Sequence, residues 1–89
     1  MWTVYIVRCT DNSLYTGITN DLEARIAQHN KGKGAKYTRS RSPVKLVYTE
    51  QAENKGKALR REIQIKMLSL QQKRNLVAHR PFKDHTVAQ

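Results

Sequence analysis

Two short segments rich in β-branched and aromatic residues open the chain, and a polar turn separates them. Residues 2–9 and 14–18 both have the composition of a β-strand. Asp11 and Asn12 between them favour a turn, because their side chains hydrogen-bond to nearby backbone groups. The pattern predicts an antiparallel hairpin in which Gly17 marks a bulge or a close backbone approach.

Strand geometry sets a condition on the two tyrosines of this hairpin, Tyr5 and Tyr15. Side chains alternate across a sheet, so the two share a face only if the numbers of paired residues sum to an even value. A three-residue loop at 11–13 meets that condition and would place Tyr15 opposite Cys9. A two-residue loop at 11–12 would put the rings on opposite faces, unless a bulge corrects the register.

A helix is predicted directly after the hairpin, at residues 21–30. Asn20 and Glu23 have the spacing of an N-cap and its N3 partner, with Asn20 as the cap. Gly32 is a natural residue to end this helix, since glycine readily adopts the left-handed conformation beyond a helix terminus.

The following segment, residues 31–45, is expected to be a loop without a packed element, because it has six basic residues, three Gly or Pro and no acid. A third strand is predicted at 44–49 and the longest helix at 54–69. A short last helix, 71–79, would pack Leu76 and Val77 inward. The apolar stripe of the long helix consists of Leu59, Ile63, Met67 and Leu70, with Ala58, Ile65 and Leu68 beside it.

These elements predict an α+β fold: a small three-stranded antiparallel sheet flanked by helices, in the order ββαβαα. With 89 residues, the chain has room for one domain, expected at 1–79, followed by a disordered tail at 80–89. No apolar run is long enough to span a membrane. A single cysteine, Cys9, allows no internal disulfide, so we expect a cytoplasmic protein in which Cys9 is a small buried hydrophobe.

The charge balance points to a polyanionic partner. The chain has 17 Lys and Arg against 7 Asp and Glu, a formal charge of +10. Such an excess predicts attraction to nucleic acid or to an anionic membrane. The charge alone leaves both partners open.

Three charged or titratable residues stand out on the helices. Arg25 and His29 are four residues apart and so share one helix face, either as an exposed basic face or at the edge of the core. Glu62 is a carboxylate among basic neighbours and close to the apolar stripe. It is either a salt-bridge partner for them or a ligand for a hard cation.

The ordered set of these residues resembles the GIY-YIG nuclease domain, in particular its small standalone bacterial subfamily. The resemblance covers about residues 2–77, and the segment GKGAKYTRSRSP has close counterparts in that subfamily. The first triplet is Thr-Val-Tyr instead of Gly-Ile-Tyr, and the second has Thr16 in place of Ile. The matching positions are Tyr5, Tyr15, Gly17, Arg25, His29 and Glu62, with Asn75 as the nearest candidate for an asparagine used by several family members.

The resemblance implies metal-dependent hydrolysis of a phosphodiester. Glu62 would hold one Mg²⁺ or Mn²⁺, and Arg25 would pair with the phosphate in the transition state. Tyr5 would take the proton of the attacking water or position that water. For this, nearby cations must lower its pKa from about 10. Tyr15 would support the site through its hydroxyl, and His29 would shuttle protons or bind the scissile phosphate.

DNA is the expected substrate, more than RNA, bound by a monomer that a protein partner could target. In the basic loop the expected contacts are Lys33, Lys36, Tyr37, Arg39 and Arg41, to phosphates in the case of the charged residues. Tyr37 would either stack on an unpaired base or fold back over the core. Two alternatives to an endonuclease are a non-catalytic nucleic-acid-binding module with the same fold and a basic scaffold that docks on an acidic protein.

Overall fold

The computed structural model describes residues 1–79 and has a three-stranded antiparallel sheet in the order β2-β1-β3. The strands are β1 (Trp2–Arg8), β2 (Leu14–Thr19) and β3 (Lys45–Ala52). The helices are α1 (Leu22–Asn30), α2 (Lys36–Arg39), α3 (Lys55–Lys66) and α4 (Leu70–His79). This arrangement confirms the predicted α+β fold, and the expected tail at 80–89 lies outside the described residues.

The hairpin register places both tyrosines on one face of the sheet. Tyr5 pairs with Gly17 and Tyr15 pairs with Val7, so the paired numbers sum to an even value. The predicted pairing of Tyr15 with Cys9 is wrong, because the three-residue loop is 10–12 and not 11–13. The Cys9 amide donates to the Ser13 carbonyl, and Asn12 has a φ of 68°. A residue in this left-handed conformation is typical of a three-residue hairpin loop.

Each face of the sheet carries its own hydrophobic cluster. Val4 and Ile6 of β1 join buried residues of α3 and α4 in one cluster. Tyr5 and Val7 point to the other face and pack with α1. The strand alternation of β1 therefore separates a purely structural core from the side that bears the two tyrosines.

Helix α1 begins one residue later than predicted. Asp21, not Asn20, is its N-cap, and the Asp21 side chain accepts a hydrogen bond from the Ala24 amide. The Thr19 hydroxyl fixes this choice, because it accepts a hydrogen bond from the Asp21 amide at 3.0 Å. The predicted end is confirmed: Lys31 caps the helix and Gly32 follows with a φ of 74°.

The basic segment 31–45 is not a plain loop, contrary to the prediction, because it contains α2. Side-chain hydrogen bonds supply what its low helix propensity lacks. The Thr38 hydroxyl donates to the Ala35 carbonyl, and the Arg41 guanidinium donates to the Tyr37 carbonyl. Thr38 is fully buried, so one side of this short helix packs against the domain.

The apolar stripe of the long helix faces solvent and not the core. Ile63 and Met67 are 57% and 81% exposed, whereas Ala58 and Ile65 are fully buried. Ala58 and Ile65 belong to the same cluster as Val4 and Ile6 of β1, so this side of α3 faces the sheet. The inward packing predicted for α4 is confirmed at Val77. None of the helices within 1–79 is long and apolar enough to cross a membrane.

Candidate active site

A buried hydrogen bond joins β1 to the end of α1. The Tyr5 hydroxyl lies 2.8 Å from Nε2 of His29, and the two side chains are 1% and 0% exposed. Tyr5 is at the centre of the middle strand, and His29 is in the last turn of α1. The expectation that His29 lies toward the core is met, and the alternative of an exposed basic face does not hold for this residue.

The second ring nitrogen of His29 binds α2. Its Nδ1 lies 2.7 Å from the Thr38 hydroxyl, which in turn is 3.0 Å from the Ala35 carbonyl oxygen. A continuous chain of hydrogen bonds therefore runs from Tyr5 through His29 to the backbone of the basic segment. Sequence reasoning missed Thr38, because a threonine among lysines and arginines carries no distinctive signal.

Burial sets the ionisation of this pair. It raises the pKa of the Tyr5 phenol above its ordinary value of 10.0, and this effect outweighs the lowering by the Arg25 guanidinium. Burial, followed by the charge of Arg25, lowers the pKa of His29 below its ordinary 6.5. Both groups are therefore neutral at pH 7. Arg25 lowers the pKa of Tyr5 as expected, but desolvation of the phenolate is the larger effect, so the pKa in the free protein is raised.

Two glycines allow the close packing of this pair. Gly17 lies opposite Tyr5, and a Cβ there would be 2.5 Å from the phenol oxygen. This confirms the close approach that the sequence indicated at Gly17. A Cβ on Gly34 would overlap Nδ1 of His29. Gly34 was not predicted as a site residue, and its place in the basic segment gives no sign of this contact.

Tyr15 lies beside the pair and connects it to the surface. Its ring packs edge-on against His29, with centroids 5.6 Å apart, and stacks on Tyr37 at 5.9 Å. The Lys66 ammonium lies 5.5 Å from the Tyr15 centroid. Tyr37 also holds the Arg41 guanidinium at 4.0 Å from its ring centroid. Stacking of a base on Tyr37 therefore requires displacement of Arg41 from the ring.

Arg25 and Glu62 supply opposite charges near Tyr5. Arg25 lowers the pKa of the phenol, and Glu62 and Tyr15 raise it by smaller amounts. The Glu62 side chain is 15% exposed and forms an ion pair with Lys66 at 3.2 Å. Both predicted interpretations of Glu62 thus remain compatible: it has a basic partner, and its charge acts on the Tyr5 phenol.

The donor set at Glu62 fits a hydrated Mg²⁺ or Mn²⁺ but not a fully protein-coordinated ion. Within residues 1–79, no group of three or more His, Cys, Asp or Glu is placed to hold a metal. Mg²⁺ commonly keeps several waters and binds through one or two carboxylates together with substrate phosphates. The single, partly exposed carboxylate of Glu62 meets that requirement.

The predicted nucleic-acid contacts divide into two groups. Lys33, Lys36 and Arg39 are exposed on the basic segment. Arg41 instead donates from Nε to Asp11 at 3.0 Å and so ties this segment to the hairpin loop. Asn75 is exposed on α4, where it accepts a hydrogen bond from Gln71 one turn earlier.

Comparison with known proteins gives one family. The family model for the GIY-YIG catalytic domain matches residues 1–75. A UPF0213 protein of Staphylococcus haemolyticus is 60% identical over 77 residues, which cover 86% of this chain and 94% of the relative. One of Clostridium perfringens is 57% identical over 81 residues, 91% of this chain and 87% of the relative. The solution NMR structure of a UPF0213 protein from Bacillus halodurans superposes with a TM-score of 0.57 at 48% identity, over 88% of this chain and 84% of that one.

Proposed function

The chain belongs to the GIY-YIG catalytic domain family, and from the geometry of its site we propose that it is a metal-dependent endonuclease that hydrolyses phosphodiester bonds in DNA. The observation that carries the proposal is the buried Tyr5–His29 hydrogen bond, whose phenol is within the electrostatic influence of Arg25 and Glu62. A phenol hydrogen-bonded to a neutral imidazole can pass its proton to that ring, which a mechanism of phosphodiester hydrolysis can use.

The proton transfer proceeds from water to Tyr5 and from Tyr5 to His29. The Tyr5 hydroxyl gives its proton to Nε2 of His29, while its oxygen takes a proton from the attacking water. The resulting hydroxide forms the new P–O bond, and the bond from phosphorus to the leaving oxygen breaks. His29 is fully buried with both ring nitrogens engaged, which favours the role of proton acceptor over that of a phosphate ligand.

Cations stabilise the charge that develops on the phosphate. Arg25 suits two phosphate oxygens, because its planar guanidinium donates two parallel hydrogen bonds. Glu62 would hold the divalent cation, which when bound supplies charge stabilisation to the phosphate and the leaving oxygen. Tyr15 packs against His29 and orients it, and its hydroxyl supports the site. Asn75 remains a proposed family position without a role in these steps.

The exposed basic residues of the segment 31–45 would position the DNA backbone. Lys33, Lys36 and Arg39 face solvent, and contacts of this type fix register without reading sequence. The substrate would then be selected by shape, as expected of a structure-selective nuclease that acts as a cytoplasmic monomer in DNA repair or recombination. A partner protein would contribute to the targeting.

The second candidate, a non-catalytic nucleic-acid-binding module, explains the basic segment but not the rest of the site. A carboxylate at Glu62 weakens binding of a polyanion unless a cation neutralises it. The buried tyrosine–histidine pair likewise contributes nothing to phosphate binding at the surface. These two observations favour the enzyme.

The test is cleavage of plasmid, flap, branched and single-stranded DNA, with RNA counterparts, in the presence of Mg²⁺ or Mn²⁺. We expect metal-dependent cleavage of at least one DNA substrate, lost in Glu62→Gln with DNA binding unchanged or stronger. Glu53→Gln is the matched control, since Glu53 also forms an i,i+4 ion pair, with Lys57, but is exposed. Binding without cleavage of any substrate would favour the binding module, and wild-type cleavage by Glu62→Gln would remove the metal role.

A further inference from the structure

The hydroxyl of Thr38 lies between His29 and the backbone of the basic segment. It is 2.7 Å from Nδ1 of His29 and 3.0 Å from the Ala35 carbonyl oxygen. Both distances are in the range of a hydrogen bond. The positions of the protons in these hydrogen bonds decide which ring nitrogen of His29 can accept a proton from Tyr5.

Only one arrangement of protons satisfies both contacts. A hydroxyl has one proton and two acceptor lone pairs, and a carbonyl oxygen has no proton to give. Two oxygens at 3.0 Å repel each other unless a proton lies between them, so the Thr38 proton is directed to the Ala35 carbonyl. Its remaining lone pair faces His29. Nδ1 must therefore carry the ring proton and donate it to Thr38.

The surroundings leave Nδ1 without another partner among the described residues. His29 is 0% exposed, and Gly34 packs so closely against Nδ1 that a Cβ there would overlap it. In residues 1–79 no buried side-chain nitrogen or oxygen lacks a hydrogen-bond partner. The contact with Thr38 is thus the one that satisfies this nitrogen.

We infer that Thr38 fixes the Nδ1–H tautomer of His29 and thereby leaves Nε2 with the lone pair that accepts the Tyr5 proton. Thr38 is a positioning residue, since it acts through His29 and does not touch substrate. Its importance for catalysis rests on the proposed function, whereas the tautomer itself is a property of the free protein and is measured without any substrate.

The test is ¹⁵N NMR of the His29 ring, which identifies the protonated nitrogen from its chemical shift and its couplings to the ring hydrogens. The proteins are wild type, Thr38→Ser, which keeps the hydroxyl, and Thr38→Val, which replaces it by a methyl group of similar size. We expect Nδ1–H in wild type and Thr38→Ser, and a mixed or Nε2–H ring in Thr38→Val. An Nε2–H ring in wild type, or an unchanged tautomer in Thr38→Val, overturns the inference. If Thr38→Val does not fold, the wild-type and Thr38→Ser spectra decide it.

Cleavage rates of the same proteins separate this inference from the proposed function. A catalytic histidine held in the wrong tautomer lowers kcat by up to about 10⁴-fold, so Thr38→Val should cleave about tenfold more slowly or worse, with Thr38→Ser within a few-fold of wild type. If wild type has the expected tautomer but cleaves nothing, the proposed function fails and the tautomer assignment stands. A Thr38→Val protein with an altered tautomer and a wild-type rate would show that the tautomer has no catalytic role.

Discussion

The Tyr5 hydroxyl lies 2.8 Å from Nε2 of His29, although 24 residues separate the two in sequence. The pair joins the middle strand to the last turn of α1, and its side chains are 1% and 0% exposed. Because both groups are neutral at pH 7, the resting site holds its transferable proton on Tyr5. The burial of His29 determines how the free energy of unfolding depends on pH. The Tyr5 hydroxyl and the charge of Arg25 determine how the cleavage rate responds to mutation.

Stability should fall in mild acid because His29 is buried and neutral. Burial and the Arg25 charge lower the pKa of His29 in the folded state, whereas in the unfolded chain it lies near ~6.5. Between these two pKa values the unfolded chain binds more protons, so the free energy of unfolding decreases as the pH falls below about 6.5. Urea unfolding across this range should show a steeper loss for wild type than for His29→Gln.

His79→Gln is the control for this measurement, since His79 is exposed on α4. It should keep the wild-type dependence on pH. Equal pH dependence in wild type and His29→Gln would mean that His29 is not the neutral buried group described above.

Arg25→Ala should lower the cleavage rate by about 10²-fold, the usual effect of removing one preorganised charge stabiliser. Its fold should persist, since Arg25 belongs to neither hydrophobic cluster of the domain. Arg74→Ala removes the same charge from an exposed position on α4 and should cleave normally. A rate for Arg25→Ala within a few-fold of wild type would remove Arg25 from the mechanism.

The basic segment should govern the salt dependence of DNA binding. Each phosphate neutralised contributes a slope of about −0.9 to a plot of log affinity against log salt. Replacing Lys33, Lys36 and Arg39 with Ala should therefore reduce the slope by roughly one unit for each phosphate that is no longer neutralised. Fluorescence anisotropy at several salt concentrations measures this, and affinity should weaken alike for unrelated sequences.

The control variant loses the same number of charges on α3 and α4, by replacement of Lys57, Arg60 and Arg74 with Ala. Its slope should stay closer to that of wild type. The opposite result would transfer the DNA surface from the segment 31–45 to these two helices.

Gly17→Ala should destabilise the protein by roughly 1–3 kcal/mol, the usual range for overpacking a core. The new methyl group would lie 2.5 Å from the Tyr5 oxygen and force the phenol or the strand to move. Gly56→Ala is the matched control, because its Cβ would meet nothing nearer than the Asn54 side chain at 3.4 Å. Urea unfolding should show Gly56→Ala at or above wild-type stability, and equal effects of the two variants would contradict the close approach at Gly17.

Local patterns predicted most of the elements but not the surfaces by which they pack. The three strands and helices α1, α3 and α4 follow from composition and periodicity, whereas α2 does not, and Gly32 ends α1 as expected. Asn20 and Asp21 are both good N-cap residues, so residue type does not distinguish them. The hydrogen bond from the Asp21 amide to the Thr19 hydroxyl accompanies the use of Asp21. Ile63 is exposed because α3 packs against the sheet through Ala58 and Ile65. That contact is tertiary and leaves no trace in the periodicity of one helix.

The site was predictable where family positions mark it and not where packing completes it. Tyr5 and His29 were recognisable, but their direct hydrogen bond depends on a register that the sequence left open. Thr38 and Gly34 belong to the site because the segment around α2 packs against His29. This tertiary contact is not predicted by any local pattern.

The central claim, that Tyr5 transfers a proton during cleavage, is tested most directly by the rate of DNA cleavage by Tyr5→Phe in Mg²⁺ or Mn²⁺. The change removes one hydroxyl and keeps the ring. Tyr48→Phe is the matched control: Tyr48 is equally buried, lies in the other cluster of the core and donates its hydroxyl to Glu50 at 2.6 Å. We predict that both variants fold, that Tyr48→Phe cleaves at the wild-type rate and that Tyr5→Phe is slower by about 10²–10⁴-fold, the range for loss of general acid–base catalysis. A folded Tyr5→Phe protein that cleaves at the wild-type rate would contradict the account.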